Sequence, residues 1–404
     1  MKLRLSRLSV LVGAVLVAMG CKHGEEGKAD DKASAAAPIK IGQTMPYSGP
    51  ASAYGTIGKV EAAYFQKLNK TGGVNGHTID FVSVDDGYSP PKAVEQVRKL
   101  VEQDQVLFIF QSLGTPSNAA IQPYLNTNKV PQLFVATGAT RWNDPEQFPW
   151  TIGFNPSYAL EGKTYGQYIA AHQPSAKVAV LYQNDDFGKD LLKGLKEGLG
   201  DKSKDVVQEA TYEVSDATID SQIATLKASG ADTFVDVTTP KFAAQAIRKV
   251  YDIGWKATHY LANVAGSVGA VLTPAGLDKS VGLKTVGYFK DPTDKQWDDD
   301  PAMKEWKAFM KEYVPDGSLT DANNTYAYIA AQTMEQVLKQ CGDDLSRANV
   351  MKQAANLKGF APGLLLPGVK MDTGPNDFAV FDQLQLVRFD GTTWVSTGDA
   401  MVKK

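Results

Sequence analysis

The chain has 404 residues and a formal charge of −3 at pH 7, from 42 Lys and Arg against 45 Asp and Glu. So slight an acidic balance argues against nucleic acid as a partner, and the composition, 43% hydrophobic and 22% charged, is ordinary for a globular protein. Of the two cysteines, Cys21 and Cys341, only Cys341 lies in the body of the chain, where it is expected to pack at a helix end as a small hydrophobe.

Residues 1–20 read as a signal peptide: Lys2, Arg4 and Arg7 precede an apolar run, Leu8 to Val17, too short to span a bilayer. Ala18-Met19-Gly20 before Cys21 resembles the bacterial lipobox, with Ala at the position more usually Leu, so Cys21 is either the lipidated first residue of the mature chain or a cysteine beside an ordinary secretion signal. Residues 21–37 have mixed charge and small side chains and suit a lipidated tether. No later stretch is long and apolar enough to span a membrane, so the lipid is the expected membrane contact.

Residues 38 to 404 exceed what one hydrophobic core usually organises, which predicts two lobes. Strands and helices alternate, the pattern of parallel sheets covered on both faces. Ile39-Lys40-Ile41-Gly42 leads to the turn Met45 to Pro50, a helix over 55–69 with apolar Ile57, Val60, Ala63, Tyr64 and Leu68, a strand over 79–84, and a helix over 91–102. The apolar run Val106 to Phe110 then ends in Gln111-Ser112-Leu113-Gly114-Thr115 before Pro116, which predicts a helix with Thr115 as cap and Pro at its first position. A second buried strand, Pro131 to Ala136, ends in Thr137-Gly138-Ala139-Thr140. Ligands of open α/β sheets sit at the carboxyl ends of strands, and a helix start suits an anion such as a carboxylate. The plainer reading of Thr-Pro-Ser is a helix cap alone.

The alternation then restarts: helix 158–172, strand 178–182, a helix after Asp185-Asp186-Phe187-Gly188, strand 206–214, helix 219–229, strand 233–237 ending in Thr238-Thr239-Pro240, helix 241–253, and strand 259–261 ending in Ala262-Asn263. A strand over 282–290, helices over 301–313, 322–340 and 346–356, and a β-rich end over 364–397 complete the plan. The fold class is α/β, two Rossmann-like lobes joined by hinge strands, with 38–156 and 289–373 as lobe one and 157–288 and 374–404 as lobe two.

Several of these stretches together resemble the type I periplasmic solute-binding proteins of the leucine/isoleucine/valine group: Met45 to Pro50 with Tyr54-Gly55, Asn69 to Gly76, Asp85-Asp86, Leu113-Gly114-Thr115, Thr137 to Thr140, Asp186-Phe187-Gly188 and Tyr328 to Gln332. With the lipid anchor, the resemblance implies a receptor on the periplasmic or cell-surface side of a bacterial membrane, monomeric and without a cofactor, that closes on a small carboxylate ligand of the branched-chain or hydrophobic amino acid type and docks on ABC permease subunits. Carried over by position, the ligand carboxylate would be held by Leu113, Gly114 and Thr115, and its amino group by the Gly138-Ala139-Thr140 turn. Tyr54 would lie over the ligand side chain, with Phe187, Thr239 and Asn263 from lobe two. Asn263 stands where amino-acid binders carry an acid, and Phe187 replaces a tyrosine. Either the ligand lacks an α-amino group, as an aromatic or branched aliphatic acid does, or Asp185, Asp186 or Asp236 supplies the charge.

Rival readings find little support. His23, His77, His172 and His259 lack metal-pair spacing, and no Gly-x-Ser-x-Gly elbow is present. Gly162-Lys163-Thr164 ends like a phosphate loop, but Ser157 stands at the first glycine position. Asp298-Asp299-Asp300 before Pro301 reads as a helix cap rather than a cation site. A sensor built on the same two-lobe module is the other alternative. Trp142 and Tyr326 are candidates to border the cleft.

Overall fold

The computed structural model describes residues 37–399 and 401–403, so the signal segment and Cys21 lie outside the described residues. The first sheet is built from β1 (Ile39–Met45), β2 (Ile79–Asp85), β3 (Phe108–Phe110), β4 (Gln132–Val135) and β5 (Thr151–Gly153). Its order is β2-β1-β3-β4-β5 and each pairing is parallel. Helices α1 (Gly55–Lys70), α2 (Pro90–Glu102) and α3 (Thr115–Thr127) are the crossovers. Parallel strands covered on both faces need apolar residues without alternation, and β3 and β4 are buried at every position.

After α4 (Tyr158–His172), the second sheet's β6 (Val178–Gln183), β7 (Val206–Tyr212), β8 (Thr233–Val237), β9 (Thr258–Leu261) and β10 (Lys284–Gly287) run parallel, joined through α5 (Asp186–Leu199), α6 (Asp220–Ala228), α7 (Pro240–Asp252) and the short α8 (Thr273–Ala275). Helices α9 (Pro301–Tyr313), α10 (Ala322–Cys341) and α11 (Arg347–Ala354) follow, with α9 and α10 packed on α1 of the first lobe and α11 on α10. The chain then returns to the second sheet as antiparallel β11 (Gln383–Phe389) and β12 (Trp394–Ser396), with β13 (Val402–Lys403) also on β11. The order is β12-β11-β10-β9-β8-β6-β7. The chain therefore crosses between lobes after β5, after β10 and before β11, which is the hinge plan of a two-lobed α/β protein.

Two expectations are corrected. Residues 364–382 hold isolated bridges rather than strands, because Pro367, Gly368, Gly374 and Pro375 interrupt any ladder. Thr115 is not the cap of α3: Gly114 is, at φ +102°, and Thr115 opens the helix. A Cβ on Gly114 would stand 2.6 Å from the Tyr88 ring, so the position admits little but glycine. Cys341 is buried at the end of α10, and Asp300 caps α9 by accepting from the Met303 N–H.

Helices α4 and α5 pack closer than side chains would allow. A Cβ on Gly162 would stand 2.1 Å from the Leu191 carbonyl oxygen, and one on Gly194 2.0 Å from that of Ala159. Gly162 is thus a backbone-contact residue, which accounts for its place in the sequence better than a phosphate loop does. Overpacking of this kind costs roughly 1–3 kcal/mol. Gly194→Ala is expected to lower the thermal unfolding midpoint by at least a few degrees; an unchanged midpoint would show that the helices separate freely.

Candidate functional site

Both parallel sheets point their carboxyl ends at one cavity of about 270 Å³ between the lobes. On the first-lobe wall, the turn after β3 brings Leu113, Gly114 and Thr115 to the cavity, and the residues after β4 bring Ala136 and Thr137. Thr115 Oγ1 and Thr137 Oγ1 share a hydrogen bond of 2.5 Å, joining the two turns directly. The first N–H groups of a helix have no intrahelical acceptor, and Pro116 leaves those of Thr115 and Ser117 at the open end of α3. Ser112 is occupied elsewhere, its hydroxyl accepting from the Thr44 N–H at 3.0 Å.

Phe187, Thr239, Asn263 and Val264 form the facing wall. Phe187 packs on Tyr158 with ring centroids 4.7 Å apart. Asp185 caps α5, accepting from the Phe187 and Gly188 N–H groups, and this fixes the Phe187 ring at the helix start. Tyr54 and Tyr88 line the cavity from lobe one, and burial drives both phenols well above their ordinary range, so they act as neutral hydroxyls. Tyr326, on α10, lines it too and donates to Asn155 Oδ1 at 2.7 Å and Gln111 Oε1 at 3.1 Å.

Of the sequence candidates, Tyr54, Leu113, Gly114, Thr115, Phe187, Thr239 and Asn263 meet at this cavity. Gly138, Ala139 and Thr140 do not; they line a separate depression with Trp142. The Gly138 carbonyl accepts the Tyr158 N–H at 2.8 Å, and Thr140 gives both its N–H and its hydroxyl to Asp190, at 2.7 and 3.0 Å. The second turn thus contributes Ala136 and Thr137 instead. Tyr88, Thr137, Asn155 and Tyr158 were not anticipated; of these, Thr137 stood within a turn already singled out, and the others carried no motif.

The three aspartates weighed as substitutes for an acid at 263 are engaged elsewhere. Asp185 is the α5 cap, Asp186 pairs with Arg141 at 3.1 Å, and Asp236 accepts from Thr238 at 2.6 Å and lies 3.2 Å from His259. Asn263 donates its side-chain amide to the Val286 carbonyl and its N–H to Glu161 Oε1 at 2.7 Å. Tyr165 donates to the same Glu161 oxygen, at 2.7 Å. Burial lifts the Glu161 carboxyl to about 7, and the titratable neighbours facing it, Tyr158, Tyr165 and Tyr288, supply no positive charge.

Contacts bridge the lobes around the cavity mouth. Tyr54 Oη donates to the Val264 carbonyl at 3.0 Å, Gln183 Nε2 reaches Tyr88 Oη at 3.4 Å, and Ser267 Oγ donates to Asp321 Oδ1, the α10 cap, at 2.8 Å. With Arg141–Asp186 and Thr140–Asp190, these describe a closed form.

Two α/β lobes, hinge crossings and a cavity at the facing strand ends define the architecture of a ligand-capturing protein. The chain belongs to the periplasmic binding protein family, whose model matches residues 38–393, and within it to the type I, leucine/isoleucine/valine group. It is 28% identical over 335 residues to a Leu/Ile/Val-binding protein homolog 1 of Brucella abortus, covering 80% of this chain and 85% of that one. Its fold is similar to a branched chain amino acid ABC transporter from Thermus thermophilus with bound valine (TM-score 0.81, 18% identity, covering 91% of this chain and 97% of that one). It is also similar to an ABC transporter solute binding protein from R. palustris in complex with benzoate (TM-score 0.75, 20% identity, covering 91% and 98%).

A buried acid whose folded value is raised binds its proton more tightly folded than unfolded, so stability falls as pH rises from the unfolded value, near 4.5, to the folded one. Glu161, with its value at about 7, contributes to such a decline between about pH 4.5 and 7, alongside Asp86, Asp185 and Asp291, each raised to about 6 by burial. Glu161→Gln is expected to flatten that decline in thermal unfolding midpoints. A slope identical to that of the parent would place the Glu161 proton equilibrium outside this window.

Proposed function

We propose that this protein is the receptor subunit of an ABC importer, capturing a small carboxylate with an apolar body by closure of its lobes and delivering it to the permease. The supporting observation is the α3 start: a helix N-terminus whose first N–H groups have no intrahelical acceptor, the Thr115–Thr137 hydroxyl pair, and no acid on the wall around it. The acids lining the cavity among the described residues are Asp291 and Asp294, in the loop beyond β10. Near the α3 start the wall is made of Tyr54, Tyr88, Tyr158, Phe187 and Tyr326, suited to an aromatic or branched side group. Leu113, Gly114, Thr115, Tyr54, Phe187, Thr239 and Asn263 are the proposed ligand contacts, and closure around them is a population shift with no covalent step.

The neutral Asn263 favours acids without an α-amino group, and the R. palustris structure holds benzoate. A second reading, a branched-chain or hydrophobic amino acid, is favoured by Glu161, whose carboxyl lies on the Asn263 N–H, and by the valine of the Thermus structure. Anchoring through a lipid on Cys21, on the periplasmic or cell-surface face of a bacterial membrane, rests on the Ala18-to-Cys21 sequence alone. Uptake into cells lacking the permease separates transport from sensing: an importer subunit loses ligand entry there.

The ligand class is tested by thermal unfolding of residues 38–404 with leucine, valine and phenylalanine, each paired with its amine-free acid, and with benzoate. A ligand at a hundredfold its Kd adds about 2.7 kcal/mol, so the midpoint should rise by roughly two degrees or more with the amine-free acids. A rise with the amino acids alone would favour the second reading. No rise with any carboxylate would contradict the proposal. In Thr115→Val, removal of the hydroxyl is expected to weaken binding of the active acid at least tenfold by calorimetry.

A further inference from the structure

The cavity continues past the ligand contacts across the second sheet. Strand register puts Thr285 opposite Val387 and Gly287 opposite Gln385, and Val387 in turn opposite Ser396. Side chains two apart on a strand share a face, so Thr285, Gly287, Gln385, Val387, Ser396 and Trp394 present one surface, and all six line the cavity. From Asn263 at the end of β9 to β12 is three strand spacings, about 14 Å at ~4.8 Å each. That is far more than a branched-chain amino acid side chain occupies. Val387 and Trp394 form the apolar part of this surface: both are largely buried, and the Trp394 indole is held by a 2.7 Å hydrogen bond to the Gly266 carbonyl. Leu366 and Trp297 line the opposite side. Gly287 keeps the passage open, since a Cβ there would meet only Val387 Cγ1 at 3.7 Å and Leu366 Cδ1 at 3.9 Å.

Resting on the carboxylate reading above, we propose that the ligand is an elongated monocarboxylate, a medium-length alkanoate or arylalkanoate, with its tail on the β10–β11–β12 face between Val387, Trp394 and Leu366. The charge pattern sets its direction. Asp291 and Asp294 line the cavity from the loop beyond β10, Asp291 held by Thr293 next to Thr393, just before β12, and they repel a carboxylate. The α3 start attracts one, so the head enters first and the tail lies outward.

Calorimetric Kd values for butanoate, hexanoate, octanoate and decanoate on the parent protein test this. Each methylene buried on an apolar face strengthens binding up to about fourfold, so affinity is expected to climb through octanoate. A series that peaks at butanoate or hexanoate overturns the inference while leaving the carboxylate reading intact, and binding of no acid at any length overturns both. Gly287→Leu places a side chain in the passage. It should weaken decanoate at least tenfold and leave butanoate within twofold, whereas an unchanged decanoate Kd would contradict the proposal. If Gly287→Leu lowers both, Val387→Asn on the same face reads the split, with the same two outcomes.

Discussion

The junction of two parallel strands at the start of α3 is the constraint on which the rest depends. β3 and β4 are short, wholly buried and adjacent, so the residues leaving them have to turn within a small space. Gly114 takes a backbone conformation open to few other residues, and Gln111 and Phe134, at φ +53° and +54°, hold left-handed backbone without glycine's freedom. Tyr88, against Gly114, does the same at φ +60°. Such outliers persist only where surrounding structure enforces them, and two of them, Tyr88 and Gly114, line the cavity. The result is that Thr115 and Thr137, 22 residues apart, share a hydrogen bond at the start of a helix.

The second lobe supplies no comparable polar focus. Its wall is an aromatic ring set by a capped helix, a threonine whose N–H is tied to the Tyr212 hydroxyl at 3.0 Å, and an asparagine whose N–H and side-chain amide are both committed to protein acceptors. On the proposed contacts, the carboxylate is held by lobe one and closed over by lobe two. That division suits a binding sequence in which an anion seats first and closure follows. The lobe-to-lobe bonds run from Tyr54–Val264 at the cavity to Arg141–Asp186 and Thr140–Asp190 outside it, and the balance of open and closed forms is open to change by a ligand that touches both walls.

Much of this was legible in the chain. Hydrophobic periodicity and the Pro and Asp residues at helix starts located α1, α4, α9 and α10 within a residue or so, because burial and capping act locally. The first turn was legible for the same reason. The second was not: whether Thr137 or Thr140 reaches the cavity depends on how Tyr158, beyond β5, holds the Gly138 carbonyl, and on Asp190 in the other lobe. Nor was the far side of the cavity. β11 and β12 join β10 only after the chain has left for α9 to α11, and register between distant strands leaves no local signature.

The claim that most needs testing is that the ligand's negative charge seats at the α3 start. A direct comparison is the Kd of an acid that binds against that of its primary amide, which keeps shape and most hydrogen-bonding capacity but removes the charge. The account predicts the carboxylate binding at least tenfold tighter, with the advantage shrinking in Thr115→Val. Equal affinity for acid and amide would contradict it, placing recognition in the apolar body of the ligand alone.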